Sequence, residues 1–383
     1  MVTPAAPRAC LCRGALGAYE PTVSLCGTHG SLALDDHKRE LGTTEPRRSL
    51  PVLSDGFARR VSYLRVSLTD RCNYRCTYCM PEAGVDLVPQ SDVLTFEEIE
   101  RLVRVMMGFG VRRVRLTGGE PTVRKDLVQL VSRLGALGLD DLAMTTNGER
   151  LAELAAPLRA AGLSRLNVSI DTLDHAKFRA ITRRGDLERV LYGVEAARVA
   201  GFVGTKINAV VMGGVNDGEL PDLCAWAWSR GVVPRLIESM PMSDGALFTT
   251  SLFVSAAQMR ARLEAAFGAF APDDGGGLPG VGPARYLRVL DGAHAGARVG
   301  IISAVSEPFC DTCNRVRLSA VGQLHTCLAL DDDSDLRTPL RTGASDDELA
   351  RRIMTAVAGK QEGHRFTTCG TGGPRKHMVA IGG

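Results

Sequence analysis

The stretch LRVSLTDRCNYRCTYC, residues 64–79, decides how this chain is read. Its first part, from Leu64, is rich in apolar and β-branched side chains and predicts a strand over 63–69. Its second part sets Cys72, Cys76 and Cys79 in a C-x3-C-x2-C run just past that strand. A ligand-rich loop at a strand's C-terminal end is where active sites gather in α/β architectures.

Outward from this stretch the rhythm repeats. Residues 96–107 have helical periodicity, with Thr95 as N-cap and Glu98 three residues on, a capping box. Further strands are predicted over 113–117, 141–146, 165–170, 205–212 and 235–239, and helices over 126–137, 151–161, 186–200 and 220–230. Six strands alternating with helices predict a parallel sheet with right-handed crossovers. Period alone does not separate an open doubly wound sheet from a closed or partial barrel. Chemically suggestive residues again fall at strand ends: Gly118-Gly119-Glu120 after the second, Asn147-Gly148 after the third, Ser169 and Asp171 after the fourth, Met240 after the sixth.

Composition bounds the function. The 383 residues are 45% hydrophobic and 23% charged, so most of the chain folds around a core. A net charge of +3, from 46 basic and 43 acidic residues, argues against nucleic acid as a partner. Only 5% of residues are aromatic, which disfavours single-strand binding by stacking. No 18-residue apolar window exists, so no membrane-spanning helix is expected. The 11 cysteines are odd in number and closely spaced in a chain without a secretory signal, which points to metal and to a reducing, cytoplasmic compartment.

Three regions are expected. Residues 1–55 lack periodicity and are taken as a disordered extension, with a weak targeting segment as the alternative; Cys10, Cys12 and Cys26 lie here, and a metal site would need His29 or His37. Residues 56–271 form the α/β body. A Gly- and Pro-rich linker, 273–283, opens a smaller region, 272–383, with short strands over 286–290, 298–304 and 315–320, a turn at Gly322 and a helix over 346–358. Cys224, beside Trp226 and Trp228 on an apolar helix, is expected in the core.

Three thiolates within eight residues can wrap one metal centre. Structural zinc usually takes four protein ligands, whereas three on a four-iron cluster leave one iron open for chemistry. A zinc knot and buried thiols are the plainer alternatives. A second triad, Cys310, Cys313 and Cys327, is a C-x2-C-x13-C set, for which His325 could complete a zinc site. Arg315 and Arg317 come just after its second cysteine, Cys313, and two apart, so on a strand they share one face. Two guanidinium forks beside an anionic centre suit a bound polyanion, because they match phosphate bidentately; a solvated basic edge strand is the bland alternative. No Ser-His-Asp set or carboxylate pair stands out.

The run Cys72–Cys79 with Tyr78 before its last cysteine, followed by Gly118-Gly119-Glu120-Pro121, resembles the radical S-adenosylmethionine (SAM) enzymes. The stretch FCDTCNRVRLSAVGQLHTCL, 309–328, and the ending Ile381-Gly382-Gly383 narrow the resemblance to the GTP 3′,8-cyclase family of molybdenum-cofactor biosynthesis, over roughly 55–383. That resemblance implies an incomplete six-stranded (β/α) TIM-like barrel, a C-terminal region closing its mouth, and a homodimer. It implies two [4Fe–4S] clusters, one on Cys72, Cys76 and Cys79 and one on Cys310, Cys313 and Cys327. It places SAM against Tyr78, Gly119, Glu120, Ser169 and Met240, and GTP against Arg65, Arg115, Thr145, Lys206, Arg235, Arg315 and Arg317, the last two also counted as catalytic with the first triad. The implied reaction is a radical cyclisation of GTP that needs SAM and an external one-electron reductant, with cyclic pyranopterin monophosphate synthase acting next. Ser239 before Met240, and Val379-Ala380 before the terminal Ile-Gly-Gly, depart from the family pattern.

Overall fold

In the computed structural model, residues 52–274 and 282–382 are described, all within a unit spanning 49–383. The β-branched runs form β1 (Tyr63–Ser67), β2 (Arg113–Thr117), β3 (Asp141–Thr146), β4 (Arg165–Ser169), β5 (Lys206–Val211) and β6 (Val233–Glu238). Between them lie α1 (Phe96–Met107), α2 (Leu127–Gly135), α3 (Leu151–Ala160), α4 (His175–Thr182), α5 (Leu187–Val199) and α6 (Leu220–Ser229). Then follow α7 (Ala256–Phe267), β7 (Phe270–Asp273), β8 (Arg285–Val289), β9 (Arg298–Ile302), β10 (Arg315–Leu318), β11 (Gln323–His325) and β12 (Ser334–Asp335). Three helices, α8 (Arg337–Arg341), α9 (Asp346–Ala358) and α10 (Met378–Ile381), complete the chain.

All twelve strands join one sheet in the order β12-β11-β10-β1-β2-β3-β4-β5-β6-β9-β8-β7. From β10 through β9 neighbouring strands run parallel, and antiparallel hairpins extend both ends. The ladder has two free ends, so hydrogen bonds do not close it. The C-terminal region is thus part of the same sheet: β9 lies beside β6, and β10 beside β1.

The physical basis is burial of one sheet face, which the strand register makes continuous from β1 to β6. Leu64, Val66, Val114, Leu116, Met144, Val168, Ile207 and Leu236 have no exposed surface, each contributing roughly 1.5–3 kcal/mol relative to exposure. Helix α1 buries Ile99, Leu102, Val103 and Met106 on one side. Its expected capping box is present: Thr95 Oγ1 accepts from Glu98 N at 3.2 Å, and the Glu98 carboxylate accepts from Thr95 N at 2.7 Å.

Helices α4 and α7 were not anticipated. Helix α4 is only eight residues long and buries the polar Thr182 beside Phe178 and Ile181, and α7 buries Ala256, Met259 and Leu263 among exposed alanines, so neither shows a clear apolar stripe. Strand β6 begins at Val233, two residues early, because Pro234 reads as a strand breaker; it sits opposite Ile207. Residues 52–55, assigned by composition to the extension, belong to the fold: Leu53 is buried and Asp55 pairs with Arg59. Cys10, Cys12, Cys26 and most of the 273–283 linker lie outside the described residues. Among the described residues, no helix is long and apolar enough to cross a membrane.

Candidate active site

The loop after β1 carries the first triad, and three neighbours fix its path. The C-terminal turn of α4 accepts from it: Arg75 N donates to the Thr182 carbonyl and Thr77 N to the Ile181 carbonyl, both at 3.0 Å. Arg183 donates to the Arg75 carbonyl at 2.9 Å. Tyr78 Oη donates to Asp171 at 2.9 Å, while the other Asp171 oxygen accepts from Val210 N at 2.8 Å.

The glycine turn after β2 packs directly onto the start of this loop. Gly119 N donates to the Thr69 carbonyl at 2.6 Å and Glu120 N to the Arg71 carbonyl at 2.9 Å. A Cβ on Gly119 would lie 2.3 Å from the Arg71 carbonyl oxygen, and Gly118 has φ +152°. Only glycine allows that approach. The Glu120 side chain is buried and directed at the next strand end: it accepts from Thr122 N and Oγ1, from Thr146 Oγ1, and from Asn147 N at 2.7–3.0 Å. Burial nevertheless raises its pKa.

One cavity opens on these strand ends, and all six triad cysteines line it. Its volume is about 300 Å³, at the lower end of the roughly 300–1,000 Å³ of small-molecule sites. Tyr78, Gly119, Glu120, Ser169 and Met240 line it, as do Arg65, Arg115, Thr145, Arg235, Arg315 and Arg317. Lys206 does not; it is buried at the start of β5, coupled to Arg235, Arg165 and Arg115. His325 is also off the wall, with Nδ1 3.0 Å from the Asp332 carbonyl. It is therefore not a fourth ligand for the second triad.

The cations converge because of register. Arg65 lies opposite Arg115 on one side and Arg317 on the other. Arg115, Arg235 and Arg317 are each less than a tenth exposed. Burial, then neighbouring arginines, pulls Arg235 and Arg317 down to about 10. Arg115 Nε is buried without a hydrogen-bond partner. Packed like charges in a poorly solvated cavity are costly unless an anion joins them. Arg317 donates to the Gly382 carbonyl, which brings the C-terminal tail to the same wall.

Burial raises Cys72, Cys76 and Cys79 of the first triad and Cys327 of the second, whereas Cys313 is lowered. Burial, then Glu120, raises Cys72 to about 11; burial, then Cys72, raises Cys79 to about 12. Burial opposes ionisation of Cys313 too, but Arg315 and Lys360 outweigh it and bring that thiol to about 7. Among the described residues no three His, Cys, Asp or Glu side chains close on a single-ion position. Each triad brings three thiols to the cavity wall, the donor number a four-iron centre with one open iron takes, and a cationic centre would lower the first triad's pKa values. The donor sets fit the groups the sequence implied.

Sequence reasoning passed over the residues that hold the triads. Arg59 donates to Asp55 at 2.6 Å, to the Cys310 carbonyl at 2.8 Å and to the Gln361 carbonyl at 2.5 Å. Lys360 is buried and donates to the Thr326 carbonyl beside Cys327. Neither falls in a motif, so no local signal marks them.

Comparison with known proteins agrees with this geometry. Residues 66–227 match the family model described as Radical SAM superfamily, and residues 233–366 match Molybdenum Cofactor Synthesis C. The structure of Streptococcus suis SuiB bound to S-adenosylmethionine superposes with TM-score 0.54 at 15% identity, covering 77% of this chain and 68% of that one, a likeness of fold. The fold and its glycine-backed cysteine loop are those of a radical SAM protein. The GTP 3′,8-cyclase of Caulobacter vibrioides is 46% identical over 355 residues, covering 91% of this chain and 99% of its own. That of Heliobacterium modesticaldum is 48% identical over 330 residues, covering 86% and 99%. The chain belongs to the GTP 3′,8-cyclase family.

Proposed function

We propose that this protein is the radical SAM lyase that converts GTP to (8S)-3′,8-cyclo-7,8-dihydroguanosine 5′-triphosphate, the first step of molybdenum-cofactor biosynthesis. The observation that carries this reading is the single cavity that unites two cysteine triads with five arginines from four strands. Cys72, Cys76 and Cys79 would hold one [4Fe–4S] cluster, and Cys310, Cys313 and Cys327 the other. With SAM, the first cluster supplies a 5′-deoxyadenosyl radical when bound.

The chain's own work is placement. Gly119, Tyr78, Glu120, Ser169 and Met240 form the SAM side of the cavity. Arg65, Arg115, Arg235, Arg315 and Arg317 bind and neutralise the triphosphate, with Lys206 adding charge from below and Thr145 a hydroxyl. Arg315 and Arg317 act closest to the second triad, which faces the base. The Gly382 segment, held by Arg317, closes one side against water. Residues 56–271 supply the body and 272–383 the closing region. The working form is a homodimer in the cytoplasm, fed by an external one-electron reductant and followed by cyclic pyranopterin monophosphate synthase.

The test is anaerobic. Reconstituted protein given dithionite, SAM and GTP is expected to form 5′-deoxyadenosine and the cyclised nucleotide, identified by mass spectrometry, with about eight irons per chain. SAM cleavage equally fast without nucleotide would overturn the substrate assignment.

A further inference from the structure

Asn208 lines the cavity and has no part in the reading above. It sits on β5, where Lys206, Asn208 and Val210 alternate onto one face. Lys206 is buried at one end of this row, coupled to Arg235, Arg165 and Arg115. Val210 stands at the other end, opposite Ile237, and both line the wall with Met240. The row runs from the cationic floor to the side assigned to SAM, and Asn208 is its middle step. Its strand partners repeat the pattern, with Ser169 on β4 to one side and Arg235 on β6 to the other.

The side chain is held one way round. Arg235 Nε donates to the Asn208 amide oxygen at 2.9 Å. Because Nε can only donate, the atom that meets it is the oxygen and not the nitrogen. Nδ2 is thereby turned away from Arg235. Among the described residues nothing accepts from it, and it keeps surface open to the cavity, where Asn208 is partly exposed. The backbone behind it is fixed too, since Ile170 N donates to the Asn208 carbonyl at 2.9 Å. A donor carried on a strand is placed more precisely than one on a loop.

Its level in the cavity says what it meets. Phosphate goes to the guanidiniums and the base to the second triad, so the part of a nucleotide left for the space between them is the sugar. A neutral NH₂ group suits the adjacent hydroxyls of a ribose, which accept without charge. We infer that Asn208 donates from Nδ2 to the ribose hydroxyls of bound GTP, with Arg235 holding the amide in that orientation, and so favours a nucleotide that carries those hydroxyls. This rests on the cavity being a GTP site.

The experiment compares GTP with 2′,3′-dideoxy-GTP by anaerobic equilibrium dialysis on protein holding both clusters. The readout is the ratio of the two affinities, which a mere prop for Arg235 would leave unchanged. The parent is expected to bind GTP roughly fivefold more tightly. In Asn208→Ala the two affinities should come within about twofold of each other. If that variant loses iron, Asn208→Leu carries the same comparison. A parental ratio retained in the variant overturns the inference, and so does a parent that binds the two nucleotides alike. SAM affinity, measured without nucleotide, is expected to change by less than about twofold; a larger loss with the GTP ratio kept would give the amide to the sugar of SAM instead. A parent that binds neither nucleotide overturns the reading of the cavity itself.

Discussion

Lys206 shows what burial does to a single charge. Its pKa is pulled down to about 7, first by burial and then by Arg235, Arg165 and Arg115. An unfolded lysine titrates near 10.5, so between pH 7 and 10.5 the unfolded chain keeps a proton that the folded chain releases. Stability contributed by this residue therefore rises with pH across that window, and the cost of the buried ammonium is complete below pH 7, at most about 5 kcal/mol. Lys206→Met is expected to resist urea better than the parent at pH 7, with the advantage shrinking toward pH 10. An advantage that grows with pH would refute the assignment. At this same scale the cysteines and the Arg315-Arg317 pair were legible, because thiolate spacing and strand alternation are local. Arg59, Lys360 and Asp171 were not given roles, because their partners lie far along the chain: Arg59 meets Cys310 and Gln361.

At the scale of elements, the turn after β2 is the tightest constraint on the site. Gly119→Ala would drive a methyl group to 2.3 Å from the Arg71 carbonyl, and the backbone there cannot yield without moving the cysteine loop. The expected outcome is loss of about half the iron and of all SAM cleavage, with the second cluster kept. Iron analysis and SAM cleavage assays check it; full iron content in Gly119→Ala would show the loop to be more compliant. Strands β2 and β3 and helices α1 and α9 end where the pattern placed them, since strong apolar periodicity and caps act within a few residues. Helix α4 was missed, although its last turn anchors the loop at Arg75 and Thr77. Its reason for being helical is the tertiary packing of Phe178 and Ile181, which a short segment does not advertise.

Across the whole molecule the two triads hang on different parts of one sheet. The first rests on β1, β2 and α4, the second on β10 and the 359–364 strap. They are expected to load independently: a chain with Cys72, Cys76 and Cys79 all changed to Ala should retain about four irons and still bind GTP, while losing SAM cleavage. Loss of GTP binding in that variant would mean the base is not held at the second triad. Taken by itself, the sequence determined the alternating α/β order, both cysteine sets and the guanidinium pair, since each is written in residues near one another along the chain. Only the tertiary structure decided that β10 pairs with β1 and β9 with β6, so that Arg65 stands between Arg115 and Arg317. It alone also set His325 aside. The reason is that strand partnering across some 250 residues is settled by which apolar faces bury together, an energy no local stretch contains.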